Sequence, residues 1–271
     1  MPMFRLRRLV LAAAGALAVS TVPAAAQYST RPATVGEDYH IEVSFNFWNP
    51  TPDLIVKSEA LGIAGDNVDL VQDLGVEKQR LKDLHIVLRP AKKHRFRINF
   101  LPMDYSAETT LQREFVFNGL RYRVGLPVAT TAEFKSWRFG YEYDFLYRER
   151  GFLGVLFDVK YTDVNVGLNS PLGDEFTKAV APLPTIGGVA RVYAAANLAL
   201  NAEVTYVNVP DNIRENLDGR YVDFDVFAMF NPHKNFGIQA GYRRIDASYV
   251  LDEDSGTLKF NGLYFGGSVR F

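Results

Sequence analysis

Residues Tyr39–Trp48 read YHIEVSFNFW, and the apolar residues fall on every second position. Tyr39, Ile41, Val43, Phe45 and Phe47 alternate with His40, Glu42, Ser44 and Asn46. A period of two is that of an extended strand with one apolar and one polar face. Read as a helix, the same residues would scatter around the cylinder. The alternation returns in WRFGYEYDF (Trp137–Phe145), FLGVLFDVKY (Phe152–Tyr161), LALNAEVTY (Leu198–Tyr206), YVDFDVFAMF (Tyr221–Phe230), FGIQAGYR (Phe236–Arg243) and the final LYFGGSVRF (Leu263–Phe271).

Between these segments the connections alternate in length. Short turns fall at PAKKH (Pro90–His94), YRERG (Tyr147–Gly151), AAAN (Ala194–Asn197) and NPHKN (Asn231–Asn235). Longer links fall at residues 49–82, 105–130, 167–178 and 209–218, with a smaller one at Leu251–Gly256. The spacing predicts ten strands, at residues 38–48, 83–90, 94–104, 131–146, 151–166, 179–194, 197–208, 219–231, 235–250 and 257–271. Residues 53–74 form either a folded loop or an extra hairpin, the latter making twelve strands. Asn118-Gly119 in FVFNGLRY is a two-residue turn signal for a hairpin tip above the third and fourth strands.

The ends of the chain frame this pattern. Arg5, Arg7 and Arg8, the apolar run of residues 9–19 and Ala24-Ala25-Ala26 have the layout of a secretory signal peptide. The expected domains are therefore residues 1–26 as signal peptide and 27–271 as one β domain. After Gln27 no apolar run is long enough for a transmembrane helix. The 271 residues include no Cys, which excludes a disulfide framework and thiolate chemistry. The four His residues (His40, His85, His94, His233) are scattered without metal-ligand spacing, and a net charge of −1 without a basic cluster argues against a nucleic-acid partner. No cofactor, metal or catalytic residue is expected.

Three features point the apolar faces outward, into lipid. The polar faces combine small and charged residues, as a packed wet lumen requires. The apolar faces are rich in Tyr, Phe and Trp. Strands of ten residues or more, joined by alternating short and long connections, suit tilted strands crossing a bilayer about 30 Å thick. Hydrocarbon offers no hydrogen-bond partner, so such a sheet must close by joining its first and last strands, residues 39–47 and 263–271. The fold expected is an all-β, closed antiparallel up-and-down transmembrane β-barrel.

The final strand resembles the C-terminal signal of bacterial outer-membrane β-barrel proteins through Gly266, Val269 and Phe271, with Tyr264 where a plainly polar residue is usual. That resemblance covers the whole chain in architecture. It implies the outer membrane of a Gram-negative bacterium as the location. Outer-membrane lipid and, during biogenesis, the barrel assembly machinery are the partners it implies. It says nothing of a ligand.

Inward positions carry a candidate charge network of Arg97, Arg138, Glu142, Asp158, Lys160, Glu203, Asp223, Asp225 and Arg243, with Arg89, Arg95, Arg191 and Glu42 beside it. A turn symmetric about His233 would set Asp223 opposite Arg243. The network suits a plugged, non-enzymatic barrel with a structural or surface-interaction role; the second reading is a narrow passive pore for small solutes. A third is a protease at the barrel mouth. Omptin-type outer-membrane proteases use an Asp–His and an Asp–Asp pair, and Asp83/His85 and Asp223/Asp225 resemble these in reversed chain order. His40 and Ser44, on one face about 13 Å apart, are too distant for a hydrolytic pair. Asp252-Glu253-Asp254 is an acidic loop of the kind that binds calcium or is simply solvated. Lys92, Lys93, Arg148, Arg150 and Lys234 put positive charge on the short turns.

Overall fold

The computed structural model describes residues 34–209, 217–251 and 254–271. The expected signal peptide lies outside them, as do Asp252 and Glu253 of the acidic loop. The described residues fall in one compact unit and contain no helix. Their strands are β1 (Ile41–Trp48), β2 (Thr51–Lys57), β3 (Val68–Asp69), β4 (Leu81–Ala91), β5 (His94–Thr110), β6 (Phe115–Phe117), β7 (Leu120–Tyr122), β8 (Pro127–Arg148), β9 (Gly151–Ser170), β10 (Gly173–Ala195), β11 (Leu198–Val209), β12 (Leu217–His233), β13 (Phe236–Leu251) and β14 (Asp254–Arg270).

Ten of these are the staves of an antiparallel barrel in the order β1-β4-β5-β8-β9-β10-β11-β12-β13-β14, closed by β1 on β14 from Glu42↔Arg270 to Trp48↔Tyr264. The first stave is interrupted. β1 lies along one half of β14, and β2 resumes along the other, from Thr51↔Asn261 to Lys57↔Ser255. Residues 53–74 are therefore a continuation of the first stave followed by a folded loop carrying the short β3, and the barrel has ten staves rather than twelve. Asn118 and Gly119, both at positive φ (48° and 79°), turn the β6–β7 hairpin, the geometry that only Asn and Gly adopt readily.

The staves outrun the expected ends on the side of the long connections. β5 reaches Thr110, β8 begins at Pro127, and β9 and β10 form one tall hairpin turned at Pro171–Leu172, so residues 167–178 are mostly strand and not a loop. Two-residue turns close the other end. The barrel thus has a loop end, on the side of the long connections, and a turn end.

Along each stave the apolar side changes. On β8, Trp137, Phe139, Tyr143 and Phe145 point out and are exposed, while Arg138, Glu142 and Asp144 point in. Toward the loop end the phase keeps and the chemistry reverses: Val128, Ala132 and Phe134 are buried inside, and Thr131 and Lys135 are exposed outside. Phe139 is 50% exposed and Phe134, five residues away, 0%. β9 makes the same exchange between Tyr161 and Val164, and β5 between Phe96 and Leu101.

The outward aromatic and aliphatic side chains make a belt of the kind that hydrocarbon covers in membrane barrels. From Trp137 to Phe145 it spans roughly 20 Å along the axis at a strand tilt of about 45°, close to the ~25 Å apolar band of membrane barrels. Beyond it the barrel behaves as a water-soluble β-structure with its own core. Trp48, Leu54, Val56, Leu101, Tyr105, Phe134 and Phe260 fill the lumen, and Leu70, Leu74, Phe115, Phe117 and Tyr122 from the loops cap it. Phe260 sits among Phe134, Tyr105 and Trp48 with ring centroids 5.9–6.3 Å away. The charged part of the lumen is thus confined to the turn-end half.

Candidate functional site: the charged half of the lumen

Inward positions of neighbouring staves at belt height are occupied by residues too polar for lipid, and they pair across the interior. At the base, the segment before β1 brings Glu37 under the barrel. Arg191 Nη1 and the Tyr193 hydroxyl donate to Glu37 Oε1 at 2.6 and 2.7 Å, and Arg89 and Arg95 lie 3.5 and 3.6 Å from Oε2. Burial raises this carboxyl's pKa, but the Arg191 and Arg95 charges outweigh it and hold it at about 2, below an ordinary 4.5.

Above Glu37, Arg95 bridges Glu142 (2.6 Å) and Asp144, and Arg97 bridges Glu142 (3.4 Å) and Glu203 (2.6 Å). Arg138 joins Glu203 (2.5 Å) to Asp158 (2.6 Å). Asp158 can lie flat on β8 because its cross-strand neighbour is Gly140, where a Cβ would meet its carboxylate oxygen at 2.0 Å. A second cluster centres on Asp223, which accepts from Lys160 (2.9 Å) and from two nitrogens of Arg243 (3.0 and 2.9 Å). Arg243 also reaches Asp83 at 3.0 Å, and His85 Nε2 lies 2.8 Å from the same Asp83 carboxylate. Asp225 accepts from the Tyr264 hydroxyl at 2.9 Å. At the seam Arg270 pairs with Glu42 and donates to Asn231 Oδ1 at 2.8 Å.

All nine residues of the expected network line this interior. The register differs at one point. Arg243 stands directly opposite Asp225, because a shift between Phe230 and His233 moves the turn, and Asp223 is opposite Ile245. The guanidinium still reaches diagonally to Asp223. Asp83 and His85 do not sit at an outer mouth: Leu81, next inward on β4 toward the loop end, is already part of the apolar core. His40 precedes β1 and is exposed, whereas Ser44 is buried in the lumen, so they share no site.

Glu37, Asp144, Tyr193 and Arg270 were not foreseen as members. Arg270 and Asp144 fall on inward positions of alternating segments; Glu37 precedes the first alternating segment and carries no periodic signal. The cavities left among these side chains measure about 30 and 60 Å3, room for a few waters. Of the C-terminal residues, Val269 and Phe271 face outward, and the Phe271 backbone exchanges hydrogen bonds with Ile41 (3.1 and 2.9 Å), while Gly266 lies inward against Asn46.

No protein-family model and no curated protein matches the chain. Among solved structures, the outer membrane protease OmpT from Escherichia coli is similar over 90% of this chain and 100% of its own, with a TM-score of 0.56 at 10% identity. Ail, the attachment invasion locus protein of Yersinia pestis, covers 86% of this chain and 99% of its own at a TM-score of 0.38 and 14% identity. The toluene transporter TodX of Pseudomonas putida covers 86% and 90% at 0.35 and 9%. At such identities the likeness to OmpT establishes the fold: this chain has the architecture of the small bacterial outer-membrane β-barrels.

Proposed function

We propose that the chain is a non-conducting, non-enzymatic barrel of the Gram-negative outer membrane, a rigid stand that carries its loop end as a contact surface. Residues 1–26 direct export and are removed, the turn end faces the periplasm, and Gly266, Val269 and Phe271 are read by the barrel assembly machinery. The observation that carries the reading is the two-layer filling of the lumen: ion pairs at belt height, with Glu37 beneath them, and an apolar core above. Ions crossing would have to part buried pairs and then traverse Phe134, Phe260 and Trp48, whose one polar atom, the Trp48 indole N–H, is already taken by the Gly262 carbonyl oxygen. Supporting the surface role, about ten residues of β8 stand beyond the belt, roughly 20 Å of height at ~3.3 Å per tilted residue. Planar-bilayer recording tests it. No stable open current is expected; a steady current whose ion selectivity changes with Arg243→Glu overturns it in favour of a pore.

A second reading, a hydrolase, is favoured by the 2.8 Å Asp83–His85 pair in a barrel similar to OmpT. It requires a water between His85 and the Asp223/Asp225 side, where the Arg243 guanidinium stands, and a substrate beneath the apolar core. Peptide cleavage abolished by both His85→Ala and Asp223→Ala would establish it.

A further inference from the structure

The outer wall of the barrel is indented near the turn end by a groove of about 490 Å3, within the size range of small-molecule sites. Its floor forms where Ala190 pairs with Ala202 across β10 and β11. Leu153, opposite Ala190, and Val226, opposite Ala202, rise on either side. On β8 and β9 the same belt is levelled by Phe139, Phe157 and Trp137.

Three arginines line the groove: Arg191, whose guanidinium is paired inward with Glu37, and Arg148 and Arg150. Arg148 ends β8 opposite Gly151 and makes no ion pair among the described residues. Arg150 donates to the carbonyl oxygens of Tyr193 (2.9 Å) and Ala194 (3.1 Å), which holds it across the end of β10 with its charge uncompensated. In contrast, the lumen arginines Arg95, Arg97, Arg138, Arg191 and Arg243 each have a carboxylate. An apolar slot open to hydrocarbon, ending in a turn where Arg148 and Arg150, both outside any ion pair among the described residues, outnumber the single carboxylate of Glu149, suits an amphipathic anion.

We propose that this groove binds an anionic phospholipid of the surrounding leaflet, one acyl chain along Ala190 and Ala202 and the phosphodiester against Arg148 and Arg150. The planar guanidinium fork fits phosphate oxygens two at a time. A zwitterionic headgroup would bring an ammonium toward the same arginines. A second copy of the barrel would bury both guanidiniums against apolar side chains without a counter-charge.

The test uses the full-length barrel in nanodiscs holding equal phosphatidylethanolamine and phosphatidylglycerol, released and weighed by native mass spectrometry. Heat-modifiable migration verifies that each variant is folded. The expected result is a one-lipid adduct enriched in phosphatidylglycerol. Arg148→Gln, which disturbs no internal bond, should lower its retention about tenfold, the effect of one charge-assisted hydrogen bond. Ala202→Trp fills the groove without touching the arginines and should abolish the adduct. Equal retention of the two lipids, an adduct indifferent to either variant, or a dimer in place of the lipid each overturns the proposal.

Discussion

Arg138→Gln probes whether the charged half of the lumen is closed to bulk water. Arg138 is paired with Asp158 and Glu203, and the side chains of the first pair are 8% and 0% exposed. Glu203 would keep Arg97 at 2.6 Å, whereas Arg138 is the only ion-pair partner of Asp158 among the described residues. Stranding one buried carboxylate costs about 3–5 kcal/mol. Asp158→Asn leaves Arg138 its bond to Glu203, so it should cost about 1–3 kcal/mol. In the double variant two neutral amides replace the pair, and its cost should fall short of the sum by about 2 kcal/mol, within the range of directly coupled residues. Arg244→Gln supplies the reference: its pair with Asp246 lies on the outer wall, 57% and 32% exposed, and is worth ~0–1 kcal/mol. Urea titration of the barrel in lipid vesicles, followed by Trp48 and Trp137 fluorescence, measures all four. If Arg138→Gln costs no more than Arg244→Gln and the cycle is additive, water reaches the network. The reading of a sealed lumen fails with it.

The two media around the phenylalanines should separate in the same assay. Phe260→Ala, 1% exposed within the loop-end core, should cost about 3–5 kcal/mol because it also leaves a cavity, and Phe265→Ala, on the belt, about 1.5–3 kcal/mol, the loss of transfer into hydrocarbon alone. A cost near zero for Phe265→Ala would mean that water, not hydrocarbon, covers the belt. Glu37 makes the base acid-sensitive. Its folded pKa, about 2, lies below the 4.5 of the free group, so its contribution of about 3 kcal/mol is complete above pH 4.5 and lost as the pH falls toward 2. Glu37→Gln should remove that slope from the pH dependence of unfolding; an unchanged slope assigns the effect elsewhere.

Much of the barrel was legible in the order of residues, because alternation reports directly which side chains share a face. The ten staves, the four tight turns, the Asn118-Gly119 tip and the β1–β14 seam all follow from local pattern. Other features do not. The diagonal grip of Arg243 on Asp223 depends on a register shift at the β12–β13 turn, and Glu37 enters the site from a segment with no pattern at all. The two-layer lumen is the instructive case. Arg138 and Phe134 stand four residues apart on one inward face, as do Lys160 and Val164, so the exchange is written in the sequence, but parity alone does not report which medium surrounds each height.

Sequence alone determined that this chain is a closed sheet of alternating strands with charge on one side and aromatic rings on the other. Only the tertiary structure decided what each stretch of each side touches. Parity along a strand is a property of the backbone, whereas the medium is a property of height. The same inward face meets ion pairs where lipid surrounds the barrel, and a hydrophobic core where water does.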